Sequence, residues 1–576
     1  MTGLRKLFES PNTPVQRRYE AIRSIEMDGL TVADAADKFG YTKQALYSYI
    51  RDVKTGKLSL FPQNTTHSER RTPTEVRKQV IKYRNKSLSA TDIKMLMDAE
   101  CYKMSVRTIE RIISDAGLPR LKRRTQAERG LTKKQQIIPH RAAMLDFNKL
   151  EPFTTDCPIA GVFFFLPYII ESGILEVVNQ CALPTSSAIE STQANLAMLF
   201  LKLIGSERLS NITAYNHEPA FGLFAGLTVL PKDSYIASYS CRTSEDMMLD
   251  FQKQLMKRFQ KTYPEFYQSD FINLDFHSIP HYGTESQMEK VWCGARHQAL
   301  KGVNTVFAQD NHSNAIVYTR ADILRKDETK EVLKFVEHWK SVKGSVKETL
   351  VFDCKFTSYQ ILDDLNNDGI QYITLRKRNN KLIQETLHIE KEKWTAVHIP
   401  IPKRKHKQCR IHESQVIIKE GCDPVRQIIV KDHGRSQPTY IITNNMELKV
   451  KDVLIVYAKR WRIENKFGEL VSFFNLNALS SSLMVRIHFD ILWTMIADTL
   501  YHRFAQDLPR FEHERANTIF KRFVNMPGKI TYDGDQFVIK IRKRAHTPIL
   551  MKLKKLTGGV RVPWLDNRIV RIQWTS

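Results

Sequence analysis

The sequence predicts a multidomain α+β protein: tandem helix-turn-helix units at the N-terminus, an α/β body with a β-rich insertion, and a small C-terminal tail containing strands. Three observations carry this. Apolar residues recur at helical spacing in two short blocks between 14 and 118, punctuated by glycines and cap residues. Between 266 and 380, strand-length apolar runs alternate with amphipathic helices. From 381 to 437 the runs shorten to ETLHI, TAVHIPI, SQVIIK and RQIIVK, the pattern of a β-rich insertion.

The 576 residues are enough for roughly four domains, and 42% hydrophobic composition supplies real cores. Against 62 Asp and Glu stand 88 Lys and Arg, a net charge of +26 that attracts polyanions over long range. Nucleic acid is the commonest soluble partner for such a chain. The most apolar run, IAGVFFFLPYII, is interrupted by a proline and falls short of the roughly 20 residues of a spanning helix, so it reads as buried core and no membrane partner is expected. The N-terminus has no apolar segment before a cleavage site, and eight scattered cysteines form no CxxC pair. A reduced, cytoplasmic setting is the expectation.

In the first unit, residues 1–62, PVQRRYEAIRSIEMDG precedes LTVADAADKFGYTKQALYSYIRDV, where Gly40 makes the turn and Thr42 caps the next helix. In a helix-turn-helix that second helix enters the major groove of duplex DNA, which makes Lys43, Gln44, Tyr47, Ser48 and Arg51 the candidate contacts. A three-helix unit used for protein contact is the alternative. The second unit, residues 63–135, opens on a polar stretch and ends in SVRTIERIISDAGLPR, where Ser105 caps, Ile109, Ile112 and Ile113 face inward, and Gly117 and Pro119 terminate. Arg107, Thr108 and Arg111 are its groove candidates. The basic run RLKRRTQAERGLTKK, with Arg123 and Arg124, follows as an extended arm for phosphates. Alone, such a run is usually a solvated linker.

Residues 136–265 read as mostly helical. Residues 266–380 carry FINLDF, NTVFAQD and NAIVYTRA, then a helix near EVLKFVEHWKSV, the strand TLVFDC, a helix over SYQILDDLNNDG and the strand QYITLRK. After the insertion the α/β pattern resumes over 438–507 at PTYIITNN, a long helix and VRIHFDILWTMIADTLYHRF. The tail, 508–576, holds FVIKIRKR and RIVRIQW.

Three carboxylates stand out. FINLD and TLVFD run apolar into Asp275 and Asp353, and strand ends of an open α/β sheet are where ligands and metals sit. In YAKRWRIENKF, helical spacing puts Val453, Tyr457, Arg460, Glu464, Phe467, Val471 and Phe474 on one stripe, with Lys459, Arg462, Lys466 and Glu469 opposite. A cation and an anion thus lie inside an apolar face. Each buried carboxylate needs a cation, a hydrogen-bond network or a metal ion. An i,i+4 salt bridge between Arg460 and Glu464 would be one answer; divalent cations shared with Asp275 and Asp353 would be another.

The combination resembles the DDE transposases of bacterial insertion sequences, in the subgroup with a Tyr-x2-Arg-x3-Glu-x6-Lys signature and a β-rich insertion between the second Asp and the Glu. Tyr457, Arg460 and Glu464 match the spacing; the final Lys falls on Val471, leaving its phosphate contact absent or supplied by a neighbour such as Lys466. LDFHSIPHYG resembles the first-Asp segment and FDCKFTSYQILDDLNNDGIQYITLRK the second. The resemblance implies a ribonuclease-H-like catalytic fold, with Asp275, Asp353 and Glu464 both catalytic and metal-binding. It further implies two Mg²⁺ ions, replaceable by Mn²⁺, and cleavage and strand transfer at transposon ends by a dimer or multimer on DNA. Tyr457 and Arg460 then become contacts to the DNA backbone, Arg460 also orienting Glu464.

Weaker signals remain. His277, His281, Cys293 and His297 have spacing compatible with zinc, as do His406, Cys409 and His412. Trp394 suits base stacking or, more commonly, a sheet core. Asp310, Asp363, Asp364 and Asp368 are rival acids placed in turns or on an exposed helix face.

Overall fold

The computed structural model describes residues 11, 13–61, 72–86, 88–118, 121, 143–282, 288–293, 296–400, 408–417, 423–478 and 484–576. The chain divides into two compact units, Met1–Ile137 and Ile138–Ser576.

The first unit holds two three-helix groups. Helices Pro14–Glu26, Val32–Phe39 and Lys43–Lys54 close on Ala21, Ala35, Ala36, Phe39 and Leu46. Thr31 and Thr42 cap the second and third, and Gly40 adopts φ 70°, the left-handed turn conformation that glycine takes without strain. Helices Thr74–Asn85, Ala90–Ala99 and Val106–Asp115 pack through Val76, Val80, Ile93, Met97, Ile109, Ile112 and Ile113. Ser89 with Asp92 forms a reciprocal capping box, and Ser105 caps the last helix as its position suggests.

The second unit contains fifteen strands among the described residues. In chain order they are β1 (Phe153–Cys157), β2 (Phe271–Pro280), β3 (Lys290–Cys293), β4 (Gln298–Asp310), β5 (Ile316–Arg320), β6 (Thr349–Phe352), β7 (Tyr372–Leu375) and β8 (Thr395–His398). Then follow β9 (Gln408–Val416), β10 (Val425–Lys431), β11 (Thr439–Thr443), β12 (Gly528–Tyr532), β13 (Gln536–Arg542), β14 (Val560–Val562) and β15 (Arg568–Thr575).

The larger sheet runs β3-β4-β2-β6-β7-β11-β10-β9-β8, with β5 on β4. Its centre, β2-β6-β7, is parallel, because helices Glu331–Lys343 and Tyr359–Asn367 supply the intervening chain that parallel pairing needs. β11, where the α/β pattern is expected to resume, pairs antiparallel with β7, and the β-rich stretch 381–437 supplies β10, β9 and β8, which extend the same sheet outward. A bare β7 edge would leave a row of backbone donors and acceptors unpaired, and these strands satisfy it. β10 and β11 are buried on both faces, by helix Val450–Lys459 on one and helix Asn380–Leu387 on the other, whereas β9 and β8 at the edge leave much of their surface exposed.

The smaller sheet runs β1-β12-β13-β15-β14. Its first strand comes from the region expected to be mostly helical: FTTDC has no clean apolar alternation, so its pairing with β12 in the tail is invisible to local pattern. The apolar run near 160 forms a 3-10 turn, Ala160–Phe165, and helix Leu166–Ser172, bent by 58° from Ile174–Gln180. Its phenylalanines are buried in the main core. Among the described residues no single helix is long and apolar enough to cross a membrane, although that bent pair would qualify by composition and length.

Candidate active site

β2 and β6 are parallel neighbours, and Leu274 is the register partner of Phe352. Each is followed by an aspartate, so Asp275 and Asp353 lie side by side; Asp353 sits at a strand end as expected, whereas β2 continues past Asp275 to Pro280 because its pairing with the long β4 extends that far. Phe276 and Phe356, a few residues on, stack with centroids 4.1 Å apart and pin the two chain segments together. Asp275 is 9% exposed. One carboxylate oxygen accepts the Phe276 N–H at 2.9 Å and the other accepts Arg460 Nη1 at 2.5 Å. Asp353 is half-buried and accepts the Lys355 N–H at 2.8 Å.

Across from them the expected long helix is broken. It consists of Val450–Lys459 and Trp461–Ser472, with Arg460 as the junction. The break lets a single stripe serve two tasks: Val453 and Leu454 pack on the sheet, Phe467 and Leu470 join the main core, and between them Arg460 turns inward. Arg460 Nη2 donates to Glu464 at 3.3 Å, the i,i+4 pair, so one guanidinium bridges Asp275 and Glu464. Glu464 is half exposed, not enclosed in the apolar face. Tyr457 lies beside Arg460, ring centroid 5.8 Å from the guanidinium carbon, and burial raises its phenol well above the ordinary range.

The electrostatics follow. Burial pushes the Asp275 carboxyl up to about 6; the Arg460 guanidinium opposes this, while Asp353 and Glu464 reinforce it. Arg460 is held charged by Asp275, Tyr457, Asp353 and Glu464 against its own burial. Arg460 therefore ion-pairs with Asp275 and Glu464 and feels the charge of Asp353 as well. The donor chemistry, all carboxylate oxygen, fits a hard divalent ion such as Mg²⁺. Among the described residues no three metal-ligating side chains are already gathered on one point; Arg460 provides the counter-charge in this arrangement.

The opposite face of the Glu464 helix departs from expectation. Lys466 and Glu469, read as solvent-facing, are buried because helix Met484–Gln506 packs there. Lys466 Nζ reaches Asp498 at 2.6 Å and Glu469 at 3.2 Å, and Glu469 accepts the Ala516 N–H at 2.8 Å. Lys466 is thus committed to an internal network and does not stand in for the missing Lys at Val471, itself packed partly against the core. Burial pushes Asp498 up to about 6.

The remaining candidates are placed as follows. Lys43, Gln44, Tyr47 and Arg51 are exposed on one helix, Arg51 leaning on Asp52 and Ser48; Arg107 and Arg111 are exposed on another. Arg123, Arg124, Pro119 and His406 lie outside the described residues. His277 is half-buried and bonded to Asn477 at 2.7 Å, and no described His/Cys group is arranged to hold a metal. Cys409 is buried in the sheet core, and His412 bonds the Lys393 carbonyl. Trp394 is 8% exposed among Leu382, Ile429 and Tyr440, with Lys431 over its ring, a core position closed to a base. Asp310 is buried and spends its oxygens on backbone N–H groups of Ser269, His312 and Ser313, a structural cap. Sequence reasoning missed Glu328, whose carboxyl is raised by burial and feels Asp353. It sits in a 3-10 segment before a helix, with no local pattern to announce it.

Comparison with known proteins places this geometry. No curated relative matches the chain. Among solved structures the chain is similar to a piggyBac transposase synaptic complex with hairpin DNA, at 11% identity, TM-score 0.36, covering 65% of this chain and 82% of that one. It is also similar to a pre-cleavage Mos1 transpososome, at 7% identity, TM-score 0.14, covering 62% and 77%. Both likenesses are too distant to carry an argument. The family model described as "Transposase DDE domain" matches residues 267–500, a span that opens just before β2, takes in Asp275, Asp353 and Glu464, and closes within helix Met484–Gln506. On that match, residues 267–500 are similar to a transposase DDE domain.

Proposed function

We propose that this protein is a DNA transposase of the insertion-sequence type, with a ribonuclease-H-like catalytic domain of the Tyr-x2-Arg-x3-Glu subgroup. Asp275, Asp353 and Glu464 are its catalytic carboxylates and would hold two Mg²⁺ ions, or Mn²⁺ in their place. When bound, such ions supply Lewis acidity to the attacking and leaving oxygens of an in-line phosphoryl displacement. The chain's own residues do the placing. β2 and β6 fix the two aspartates side by side, and Arg460 ties Asp275 to the helix that bears Glu464. Tyr457 and Arg460 flank the acids where a DNA phosphate would approach. The carrying observation is the adjacency of Asp275, within β2, and Asp353, just past the end of the parallel strand β6, with Arg460 shared between Asp275 and Glu464.

The two N-terminal helical groups are read as helix-turn-helix units that recognise the element's ends through Lys43, Gln44, Arg51, Arg107 and Arg111, with Arg123 and Arg124 on phosphates. The working assembly is a homodimer or higher multimer on DNA, in the bacterial cytoplasm at the nucleoid. A second reading, a DNA-binding regulator descended from a transposase, is favoured by Val471 and by the committed Lys466. Incubating the full chain and Mg²⁺ with duplexes bearing the inverted repeats that flank its coding region separates the readings. Cleaved 3′-hydroxyl ends and their joined products are expected. Cleavage without joining points to a nuclease, and binding without cleavage to the regulator.

A further inference from the structure

The outer face of the smaller sheet takes no part in the site above. Its register decides which residues point outward. Phe537, Ile539 and Ile541 of β13 pair with Val570, Ile572 and Trp574 of β15 on the core side. The alternate positions therefore face outward: Thr154 and Asp156 on β1, Lys529 and Thr531 on β12, Lys540 and Arg542 on β13, Arg571 and Gln573 on β15, and Arg561 on β14, with the half-exposed Gln536, Val538, Ile569 and Thr575 between them.

Five of these side chains are cations and one is an acid. Asp156 lies 3.7 Å from Lys529, and Arg561 donates to the Asn567 carbonyl. Lys540, Arg542 and Arg571 are exposed and have no carboxylate partner among the described residues. Lys529 and Lys540 are direct cross-strand partners, an arrangement in which like charges repel and cost stability. The sheet's other acids, Asp533, Asp535 and Asp566, sit in the turns at its ends. A face that concentrates uncompensated cations on a rigid, regularly spaced lattice suits a repeating anion. Neighbouring charges along a strand are about 6.6 Å apart and neighbouring strands about 4.8 Å.

We propose that this outer face, centred on Lys529, Lys540, Arg542 and Arg571, binds the sugar-phosphate backbone of double-stranded DNA. It rests on the reading of the chain as a DNA-processing protein and adds a contact surface that neither the carboxylate site nor the N-terminal helices supply. Charge complementarity selects a polyanion, and the lack of aromatics selects the duplex. Single strands are held by stacking platforms, whereas the sheet's Tyr532, Phe537 and Trp574 all point to the core side. Thr154 and Thr531, hydroxyls 3.3 Å apart on the same face, add phosphate donors.

The test uses the full chain and a random-sequence duplex, with affinity measured by fluorescence anisotropy across a salt series. Substituting Lys529→Ser, Lys540→Ser, Arg542→Ser and Arg571→Ser together should flatten the log–log salt slope by about three to four, near 0.9 for each lost phosphate contact. If the fourfold variant does not fold, Lys540→Ser with Arg571→Ser is read the same way, with about half the change. A slope and affinity equal to those of the unsubstituted protein overturn the proposal. So does a loss seen for single strands or anionic vesicles but not for duplex. Cleavage is not part of the readout, so a protein that binds through this face yet never cuts counts against the proposed function alone. A protein that cuts with an unchanged slope counts against this face alone.

Discussion

Asp275 and Asp353 stand next to each other because the residues before them, Leu274 and Phe352, are register partners in the parallel strands β2 and β6. The relationship is fixed by backbone geometry, so neither side chain must search for the other. What it produces is a pair of adjacent acids, of which Asp275 is ion-paired with Arg460.

The Asp275 carboxyl gives a pH signature. Its folded value, about 6, lies above the ordinary carboxylate value of roughly 3.9, so the folded state binds the proton more tightly. The stability this contributes is present below about pH 4 and lost as pH rises through 6, a change on the order of 3 kcal/mol. Denaturant titrations of Asp275→Asn and the unsubstituted protein should therefore diverge between pH 4 and pH 7, with the variant relatively more stable at the alkaline end. A constant difference would show that the carboxyl is not raised.

Removing the shared cation should be costly in a charge-dependent way. Arg460→Met leaves a buried carboxylate unpaired, a loss of about 3–5 kcal/mol at pH 8. At pH 5, where Asp275 takes up a proton, much of that loss should disappear. Equal destabilisation at both pH values would mean that packing, not charge, is what Arg460 contributes.

Divalent ions should report on the carboxylates without any DNA. Mg²⁺ at a hundredfold excess over its dissociation constant stabilises a folded protein by about 2.7 kcal/mol. A rise in the melting midpoint with Mg²⁺ that disappears in Asp353→Asn is the expected result. The same rise in both proteins would place the ion elsewhere.

The Lys466 network predicts a coupling. Lys466→Met strands Asp498 and Glu469 and should cost about 3–5 kcal/mol, whereas Lys466→Met with Asp498→Leu should recover a large part of it. Thermodynamic additivity of the two substitutions would deny the pair.

The legible and illegible parts of this molecule separate by range. The strands leading into Asp275 and Asp353 were readable because FINL and TLVF are short, mostly apolar runs, although the continuation of β2 to Pro280 was not, and the N-terminal helices because threonine and serine caps mark their starts. The break at Arg460 was not, since its residues continue helical periodicity through the junction. Lys466 and Glu469 looked solvent-facing because the helix that covers them lies later in the chain and periodicity registers only one buried face. That the strands between 381 and 437 join the same sheet through β11 was not legible, because their pairing is a long-range choice. β1 was silent for the same reason, its partner being almost at the other end of the unit.

The most direct measurement is Mg²⁺-dependent cleavage of a duplex bearing the element's end by the Glu464→Gln protein, read beside its affinity for the same duplex. Glutamine keeps the size and loses the charge of a half-exposed side chain, so folding and DNA affinity should stay within about twofold of the unsubstituted protein. The account predicts that cleavage falls to background while binding persists. Cleavage at an undiminished rate in that variant would contradict it.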